Sequence, residues 1–257
     1  MTGLKGKLNP TPFIGFDKKP VQHYKGIRAM SDTDLHEQLL FILQQAVPGA
    51  VPGGKKLRVL DLGCGEGAFS QRLFDAGFDV TAIDLNKEAF RAKGPEFTVL
   101  DLNDNSQKEN FVSSRKGKFD VIFAAEVIEH LKDPWEFVAF LKQLCGEGTE
   151  IFITTPNFAS WWGRFIFLFS GELWGFDPAA WVDPGHINPV SATELSHILA
   201  ANGLKLNNIY PCGKLPLVWL FNWKRALISL LMLALHPFLK GSRNGWALCF
   251  HSTAQKQ

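Results

Sequence analysis

The sequence predicts an α/β fold, a doubly wound sheet of seven strands that is mainly parallel, and three observations support it. Short aliphatic runs alternate with helical patterns along most of the chain, which is the order that builds a parallel sheet. The first such run ends in a glycine-rich turn that leads directly into a helical pattern, as at the nucleotide crevice of these folds. The last run follows its predecessor without a crossover of the core type, so we expect the final strand to be antiparallel.

Residues 1–50 are expected to form a basic N-terminal arm followed by one helix. Residues 1–28 carry six basic side chains and a single acid among glycines and prolines. This composition indicates a loose arm, which is either a solvated tail or a contact for an anionic surface. Ser31 or Asp32 can cap a helix that runs to about Ala46.

The remaining elements follow from periodicity and from helix-end signals. Strands are predicted at 57–62, 79–84, 96–101, 119–124, 150–155, 204–211 and 247–252. Helices are predicted at about 67–76, after Asn86, at 134–145 and at 192–201. Pro134 suits a first helical turn, and Ser191 suits an N-cap. The strand at 119–124 is almost wholly apolar, as a central parallel strand should be, whereas 104–117 is too polar and weakly patterned to be assigned.

Two apolar inserts, at 156–190 and 213–243, interrupt the alternation of strands and helices in the main domain. We take this domain as residues 51–257. Each insert leaves a strand at its carboxyl end. Ligands of open parallel sheets bind beyond the carboxyl ends of the strands. Both inserts are therefore expected on the ligand face.

The composition of the inserts indicates a membrane surface or a lid. Residues 158–181 are rich in Phe and Trp, and residues 215–239 read LPLVWLFNWKRALISLLMLALHPFL. Lys224 and Arg225 divide the second stretch and leave it shorter than the roughly 20 apolar residues that a bilayer span needs. We expect an amphipathic helix that lies in the membrane interface, or else a lid or a dimer contact.

Composition limits the classes of function. The chain of 257 residues is 46% hydrophobic and has a net charge of +2, which argues against a dedicated nucleic-acid-binding protein. Its four cysteines are scattered without a C-x-x-C pair, as fits a reducing cytosol and no zinc site. The N-terminus lacks the apolar core of a signal peptide. We expect a cytoplasmic protein that can associate peripherally with a membrane.

The glycine turn carries the strongest functional signal. Its order is Asp61, Gly63, Gly65, Gly67, without the G-x-G-x-x-G of dinucleotide sites or a P-loop lysine. An acid before the turn disfavours a phosphate but suits an ammonium group. Asp84 ends the next strand, where a carboxylate can bind ribose hydroxyls, and an acid also ends the third. A ligand with an amino group, a ribose and a base but no phosphate is S-adenosylmethionine.

This turn resembles motif I of the class I S-adenosylmethionine-dependent methyltransferases. The resemblance covers roughly 57–204 and implies that the first acid and the glycines line the methionine moiety. It also implies that Asp84 holds the ribose, with Leu85 against the adenine and Asp101 and Leu102 at its edge. The whole implied cofactor set is Asp61, Gly63, Cys64, Gly65, Asp84, Leu85, Asp101, Leu102 and Glu126.

A second constellation, Glu126-Val-Ile-Glu129-His130, follows the strand at 119–124. In a helical turn its two glutamates and histidine stand on one face. Such a group suits Mg²⁺ or another divalent cation. Alternatively, His130 is a metal-free base that accepts a proton from the substrate. We expect His130, Glu129 and Glu126 to be the catalytic residues; a purely structural role for His130 is the third possibility.

The same run looks like the motif after strand four of the ubiquinone-biosynthesis O-methyltransferase family. It is also similar to the E-x-x-E-H of the small-RNA 3′-terminal 2′-O-methyltransferases. Both resemblances imply a divalent cation on Glu126, Glu129 and His130, and the second implies His186 as a later ligand. The E-H-L pattern also occurs in small-molecule methyltransferases that need no metal, so the metal stays open.

The leading hypothesis is an S-adenosylmethionine-dependent methyltransferase that O-methylates a hydrophobic or membrane-presented small molecule or a lipid-linked acceptor. A second hypothesis is methylation of a glycan or an RNA terminus, with the inserts as lid or dimer contact. The near-neutral charge counts against RNA, because phosphate contacts need clustered Lys and Arg. A third is a non-catalytic, cofactor-binding interaction module. Methylation at nitrogen or carbon also fits these residues.

Overall fold

The computed structural model describes residues 14–16, 21–31, 34–47, 49–50, 56–239 and 244–255. The expectations for much of the basic arm and for Asp32 as a helix cap lie outside these ranges. The described helices are α1 Leu35–Ala46, α2 Ala68–Asp75, α3 Asn105–Arg115, α4 Pro134–Leu144, α5 Trp161–Ser170, α6 Pro178–Val182, α7 Ala192–Ala201 and α8 Trp223–Leu235. The described strands are β1 Ile14–Gly15, β2 His23–Tyr24, β3 Ile27–Arg28, β4 Arg58–Leu62, β5 Asp79–Asp84, β6 Glu96–Val99, β7 Val121–Ala124, β8 Glu150–Pro156, β9 Leu204–Cys212, β10 Val218–Trp219 and β11 Ala247–Ala254.

The central sheet has seven strands in the order β6-β5-β4-β7-β8-β11-β9. The pairs from β6 to β8 are parallel, and β11 is antiparallel to both of its neighbours. All four residues of β7 are buried, because helices cover both faces of the sheet. The predicted α/β fold class, with its antiparallel last strand, is confirmed.

Two apolar clusters fill the space between the sheet and its helices. Helices α3, α4 and α7 pack on one face, and α1 and α2 pack on the other. On the second face the rings of Phe69, Phe123 and Phe152 follow one another at centroid distances of 5.0 and 4.8 Å. The resulting core holds β4, β5 and β7 in register, so that their carboxyl ends meet at one edge of the sheet.

Three local predictions differ from the structure. Residues 105–115 form α3, whose inward face presents mainly Phe111 and the stem of Lys108, and this face is too polar to produce a periodic signal. The residues after Asn86 form turns instead of a helix, although its side chain accepts from the amides of Glu88 and Ala89 at 3.1 and 3.2 Å, as a helix N-cap would. Helix α1 begins after Asp34, a left-handed residue with φ 63°.

Within the basic arm, residues 21–31 are packed against the domain. Strands β2 and β3 form a short hairpin beside α2. Lys25 pairs with Asp75 at 2.7 Å, and the Arg72 guanidinium lies 4.2 Å from the centre of the Tyr24 ring. This part of the arm is therefore a cover along α2 and not a loose tail.

The two inserts pack on each other. Trp161 of the first insert is almost fully buried, and its indole nitrogen donates to the carbonyl oxygen of Pro216 in the second at 3.0 Å. Trp219, Met232 and Trp246 complete this cluster, which we call the insert core. Within the described ranges, no helix combines the length and the apolar character that crossing a bilayer requires.

The outer side of the inserts remains apolar and exposed. We call this the outer apolar face; its members include Phe167, Leu168, Phe169, Trp181, Val182, Trp223, Leu227, Leu230, Leu231, Leu235 and Phe238. Leu168 is 74% exposed and Leu230 is 53% exposed. Exposed apolar side chains that form a large patch typically mark an interaction site. The inserts thus bury apolar side chains against each other and leave other apolar side chains exposed.

Replacing Trp161 by Ala should lower the free energy of unfolding by about 3 kcal/mol, because it empties a buried site and removes one hydrogen bond. Trp223→Ala is the matched control, since Trp223 is 72% exposed and its loss should change stability by about 0.5 kcal/mol or less. Urea unfolding followed by circular dichroism measures both. Equal effects of the two variants would contradict the insert core.

Candidate functional site

A cavity of about 430 Å³ opens at the carboxyl ends of β4, β5 and β7 and of the segment after β6. Its size lies in the range of small-molecule and cofactor sites, about 300–1,000 Å³. The structure brings the whole cofactor set expected from the sequence to its walls, namely Asp61, Gly63, Cys64, Gly65, Asp84, Leu85, Asp101, Leu102 and Glu126. These residues come from four separate segments, and the parallel order of the sheet is what unites them.

The turn between β4 and α2 is shaped by three left-handed glycines. Gly63, Gly65 and Gly67 have φ of 67°, 55° and 90°. A Cβ on Gly63 would lie 2.5 Å from Val127, and one on Gly67 would lie 2.6 Å from Phe90. Glycine is therefore required here by backbone conformation and by space. The turn keeps its backbone at the cavity wall, where a ligand can approach it closely.

Two acids flank this turn and differ in their surroundings. Asp61 is buried and accepts from the Ser70 hydroxyl at 2.5 Å. Burial, and next the nearby Asp84 charge, raise the pKa of Asp61 to about 7. Asp84 accepts from the amide of Gly65 at 2.8 Å and from the amide of Asn86 at 3.1 Å. Its carboxylate is thereby fixed between the glycine turn and the following loop.

Cys64 also lies at this wall, as expected. Burial raises the pKa of its thiol, so the group is a neutral contact and not a nucleophile. All four cysteines of the chain are free.

Three cavity residues from the N-terminal segment were missed by sequence reasoning, namely Arg28, Met30 and His36. They come from the hairpin cover and from α1, and the basic composition of the arm was the one available signal. Burial lowers the pKa of His36 to about 3, so its ring is neutral. Among the residues that line the described cavity wall, Arg28 is the only Lys or Arg.

Glu126 does not stand on a helical face with Glu129 and His130. It has a left-handed backbone with φ 56°, and the helical turn begins only at Ile128. The Thr154 hydroxyl accepts from the Glu126 amide at 2.8 Å and donates to its carboxylate at 2.7 Å. The expected i, i+3, i+4 arrangement is therefore corrected, because Thr154 holds Glu126 in a separate conformation at the cavity wall.

Glu129, His130 and His186 form a compact cluster whose potential ligand atoms lie within 4.8 Å of one another. His186 thus lies where the sequence placed it, and Glu126 lies outside the group. Both carboxylate oxygens of Glu129 are buried without a hydrogen-bond partner. Burial, and next the Glu126 charge, raise the pKa of Glu129. A buried carboxylate of this kind requires a proton or a cation.

The two imidazoles of the cluster have defined tautomers. Nδ1 of His130 lies 3.1 Å from the carbonyl oxygen of Gly185, and Nδ1 of His186 lies 2.6 Å from that of Gly175. Because a carbonyl oxygen only accepts, Nδ1 of each ring is the donor, and Nε2 is the nitrogen that a neutral ring offers to a proton or a cation. Burial, and next His186, lower the pKa of His130. The cluster can therefore accept a proton or ligate a cation.

Comparison with known proteins gives three findings. A family model described as a methyltransferase domain matches residues 31–208. A ubiquinone biosynthesis O-methyltransferase of Aromatoleum aromaticum is 36% identical over 108 residues, which are 39% of this chain and 44% of that protein. The chain spans about half the length of the curated relatives it matches.

Solved structures share the fold. A SAM dependent methyltransferase from Archaeoglobus fulgidus has a TM-score of 0.56 at 19% identity, over 85% of this chain and 94% of that chain. A magnesium protoporphyrin IX methyltransferase from Synechocystis PCC 6803, solved with bound SAH, has a TM-score of 0.51 at 16% identity, over 86% and 82%. At this identity the likeness shows the architecture, which is the one expected from the sequence.

Proposed function

The chain belongs to the methyltransferase domain family, and from this premise we propose that it is an S-adenosylmethionine-dependent methyltransferase. The resemblance to methyltransferases that the sequence indicated is thereby confirmed at the level of the family. One observation carries the proposed activity: every cofactor residue expected from the sequence lines a single cavity beside three left-handed glycines. Of the similar solved structures, one is a SAM dependent methyltransferase and another contains bound SAH.

The cavity offers a complementary group for each part of S-adenosylmethionine. Asp84 binds the ribose hydroxyls, and the apolar Leu85 and Leu102 contact the adenine. Asp61 compensates the charge of the methionine ammonium. Arg28, which the cover hairpin supplies, is the cationic partner for the methionine carboxylate. No phosphate is required, in keeping with the acids around the turn.

Methyl transfer requires an acceptor atom in line with the C–S bond, so positioning supplies much of the rate. A hydroxyl acceptor must also lose its proton. When no cation is bound, Nε2 of His130, at the cavity wall, is assigned as the base. Glu129 lies beside this imidazole with its own proton, and Glu126 shapes the cofactor side of the site.

A divalent cation fits the cluster of Glu129, His130 and His186. The orphaned carboxylate and the two oriented imidazoles are a donor set of one oxygen and two nitrogens. Such a set suits Zn²⁺, Fe²⁺ or Mn²⁺ better than Mg²⁺, which prefers oxygen ligands. A bound cation lowers the pKa of a coordinated hydroxyl. This revises the expected ligand set, because Glu126 is held by Thr154.

The proposed acceptor is a hydrophobic or membrane-presented hydroxyl compound. The outer apolar face and the aromatic inserts beside the cavity support this acceptor class and peripheral membrane association. The curated relatives named ubiquinone biosynthesis O-methyltransferase are consistent with it, although the match spans only part of those proteins.

Calorimetric titration should show one S-adenosylmethionine site, and Asp84→Ala should weaken it at least tenfold, because two hydrogen bonds to ribose are lost. Asp79→Ala is the control, since Asp79 begins the same strand, at the end that lies away from the cavity. Unchanged affinity of Asp84→Ala would remove the ribose assignment. No binding to the wild-type protein would remove the proposed activity itself.

Cofactor affinity should rise roughly tenfold between pH 5.5 and 7 and then level off. The pKa of Asp61 is raised to about 7, so the empty site holds a proton at low pH, and this proton must leave before the carboxyl can compensate an ammonium. Asp61→Asn should bind more weakly and flatten the profile. A slope that persists in Asp61→Asn would assign the titration to another group.

Metal-free protein titrated with Co²⁺ should show one site by visible absorption, and Glu129→Gln and His186→Ala should each weaken it at least tenfold. Glu126→Gln should retain the site, since Thr154 binds this side chain. A cobalt spectrum that Glu126→Gln abolishes would restore the four-ligand set expected from the sequence. Failure to bind cobalt, with full turnover in excess chelator, would leave His130 as a metal-free base.

The wild-type protein should float with vesicles of phosphatidylethanolamine and phosphatidylglycerol, and Leu230→Glu with Leu231→Glu should release it, because charge on the outer apolar face opposes insertion. Trp135→Glu is the control, as Trp135 is 50% exposed on α4. A wild-type protein that never floats would refute the membrane part of the proposal while leaving cofactor binding intact.

A further inference from the structure

We propose that Asp34 is a positioning residue for the cofactor: through the cover hairpin of residues 21–31 it holds Arg28 at the wall of the cofactor cavity, and it anchors this hairpin to the second insert. The inference rests on the proposed function, in which Arg28 is the cationic partner of the methionine carboxylate. Asp34 itself does not belong to the described cavity wall, whereas Arg28 does. Its effect on the cofactor therefore has to pass through another side chain.

The cover hairpin is too small to fix its own orientation. Its two strands have two residues each, and a two-stranded hairpin on its own is marginally stable. One attachment joins it to α2, where Ile27 and Ala29 pack on Ala68 and Lys25 pairs with Asp75. A hairpin held by one element can pivot about it. A second attachment, on a different element, is needed to fix the direction of its side chains.

Gln22 joins Asp34 to the strand that carries Arg28. Its side-chain nitrogen donates to the Asp34 carboxylate at 2.9 Å, and its side-chain oxygen accepts from the Asp34 amide at 2.7 Å. The main-chain carbonyl oxygen of Gln22 accepts from the amide of Ala29 at 2.8 Å. Because Ala29 follows Arg28 in the chain, these hydrogen bonds lead from Asp34 to the residue next to Arg28.

Asp34 also contacts the beginning of the second insert. Its carboxylate pairs with the Lys214 ammonium, and the Asp34 side chain is only 12% exposed, so this pair is less screened than a pair at the surface. The carbonyl oxygen of Lys214 accepts from the indole nitrogen of Trp246, in the insert core, at 2.9 Å. One turn along α1, the Gln38 side chain accepts from the amide of Gly213 at 2.9 Å. The cover hairpin is thereby anchored to the insert core.

The backbone of Asp34 supports the same role. Its φ of 63° lies in the left-handed region, which residues other than glycine adopt rarely and keep only where their surroundings determine it. In this conformation the amide of Asp34 donates to Gln22 while its carboxylate accepts from the same side chain. Asp34 thus contacts the hairpin with its main chain and its side chain, and a substitution there should act on the hairpin first.

Calorimetry with two ligands tests the proposal. One is S-adenosylmethionine, and the other is 5′-methylthioadenosine, which keeps the adenosine and the sulfur but has no amino-acid group. Asp34→Ala should weaken S-adenosylmethionine at least tenfold and change 5′-methylthioadenosine less than twofold, because only the first ligand has a carboxylate for Arg28. Gln22→Ala and Lys214→Met each remove one neighbour of Asp34 and should show the same selective loss, of at least threefold.

Arg28→Ala should also weaken S-adenosylmethionine selectively. Adding Asp34→Ala to it should cause less than a further twofold loss, because both changes act on the same contact. Asp120→Ala is the matched control. Asp120 also accepts from a backbone amide and pairs with a basic side chain, both of Arg58, at 2.9 and 3.0 Å, but at the end of the sheet that lies away from the cavity. This variant should bind both ligands as the wild-type protein does.

The outcomes separate this inference from the proposed function. Equal weakening of both ligands by Asp34→Ala would show a general structural role and overturn the proposal. Wild-type affinity of Asp34→Ala, or additive losses in the double variant, would overturn it as well. Wild-type affinity of Lys214→Met would overturn the anchoring to the second insert. A wild-type protein that binds no S-adenosylmethionine would instead overturn the proposed function, and this inference with it.

Discussion

The lack of room for side chains at the turn after β4 is the constraint on which the cavity depends. A Cβ on Gly63 would collide with Val127 in the segment after β7, and a Cβ on Gly67 would collide with Phe90 in the loop after β5. Both neighbours belong to segments that also build the cavity, so a larger residue in the turn would displace its walls. The amide of Gly65, which donates a hydrogen bond to the Asp84 carboxylate, would move as well. Ligand binding and core packing are thus set by the same few atoms.

The separation of Glu126 from Glu129 is the second determinant of the site. A left-handed non-glycine residue costs on the order of 1–3 kcal/mol, and two hydrogen bonds contribute about 0.5–1.5 kcal/mol each. These magnitudes nearly balance, so the conformation of Glu126 depends on the Thr154 hydroxyl. The Glu126 charge still raises the pKa of Glu129, but the two carboxylates have different neighbours, since Glu126 lines the cofactor cavity and Glu129 lies beside the histidines.

Sequence patterns predicted the elements that depend on local periodicity, and failed where tertiary contacts decide. Strand β5 and helix α7 have the expected bounds, since β5 is buried on both faces of the sheet and the apolar residues of α7 all face one cluster. Helix α3 was not assigned, because a buried Lys108 paired with Glu136 replaces an apolar residue on its inward face. The cofactor residues were predictable from strand ends, which topology brings together. The conformation of Glu126 was not, because its partner Thr154 lies 28 positions away.

The inserts contain side chains that are buried in the insert core and apolar side chains that remain exposed. Helix α8 buries Ser229 and Met232 in the insert core, whereas Leu227 and Leu231 are more than half exposed. Complete burial of one Leu contributes about 1.5–3 kcal/mol, so the outer apolar face forgoes several kcal/mol while it faces water. Since the insert core is packed without these side chains, they add little to folding. The proposed membrane association would remove these side chains from water and so supply the stabilisation that folding does not.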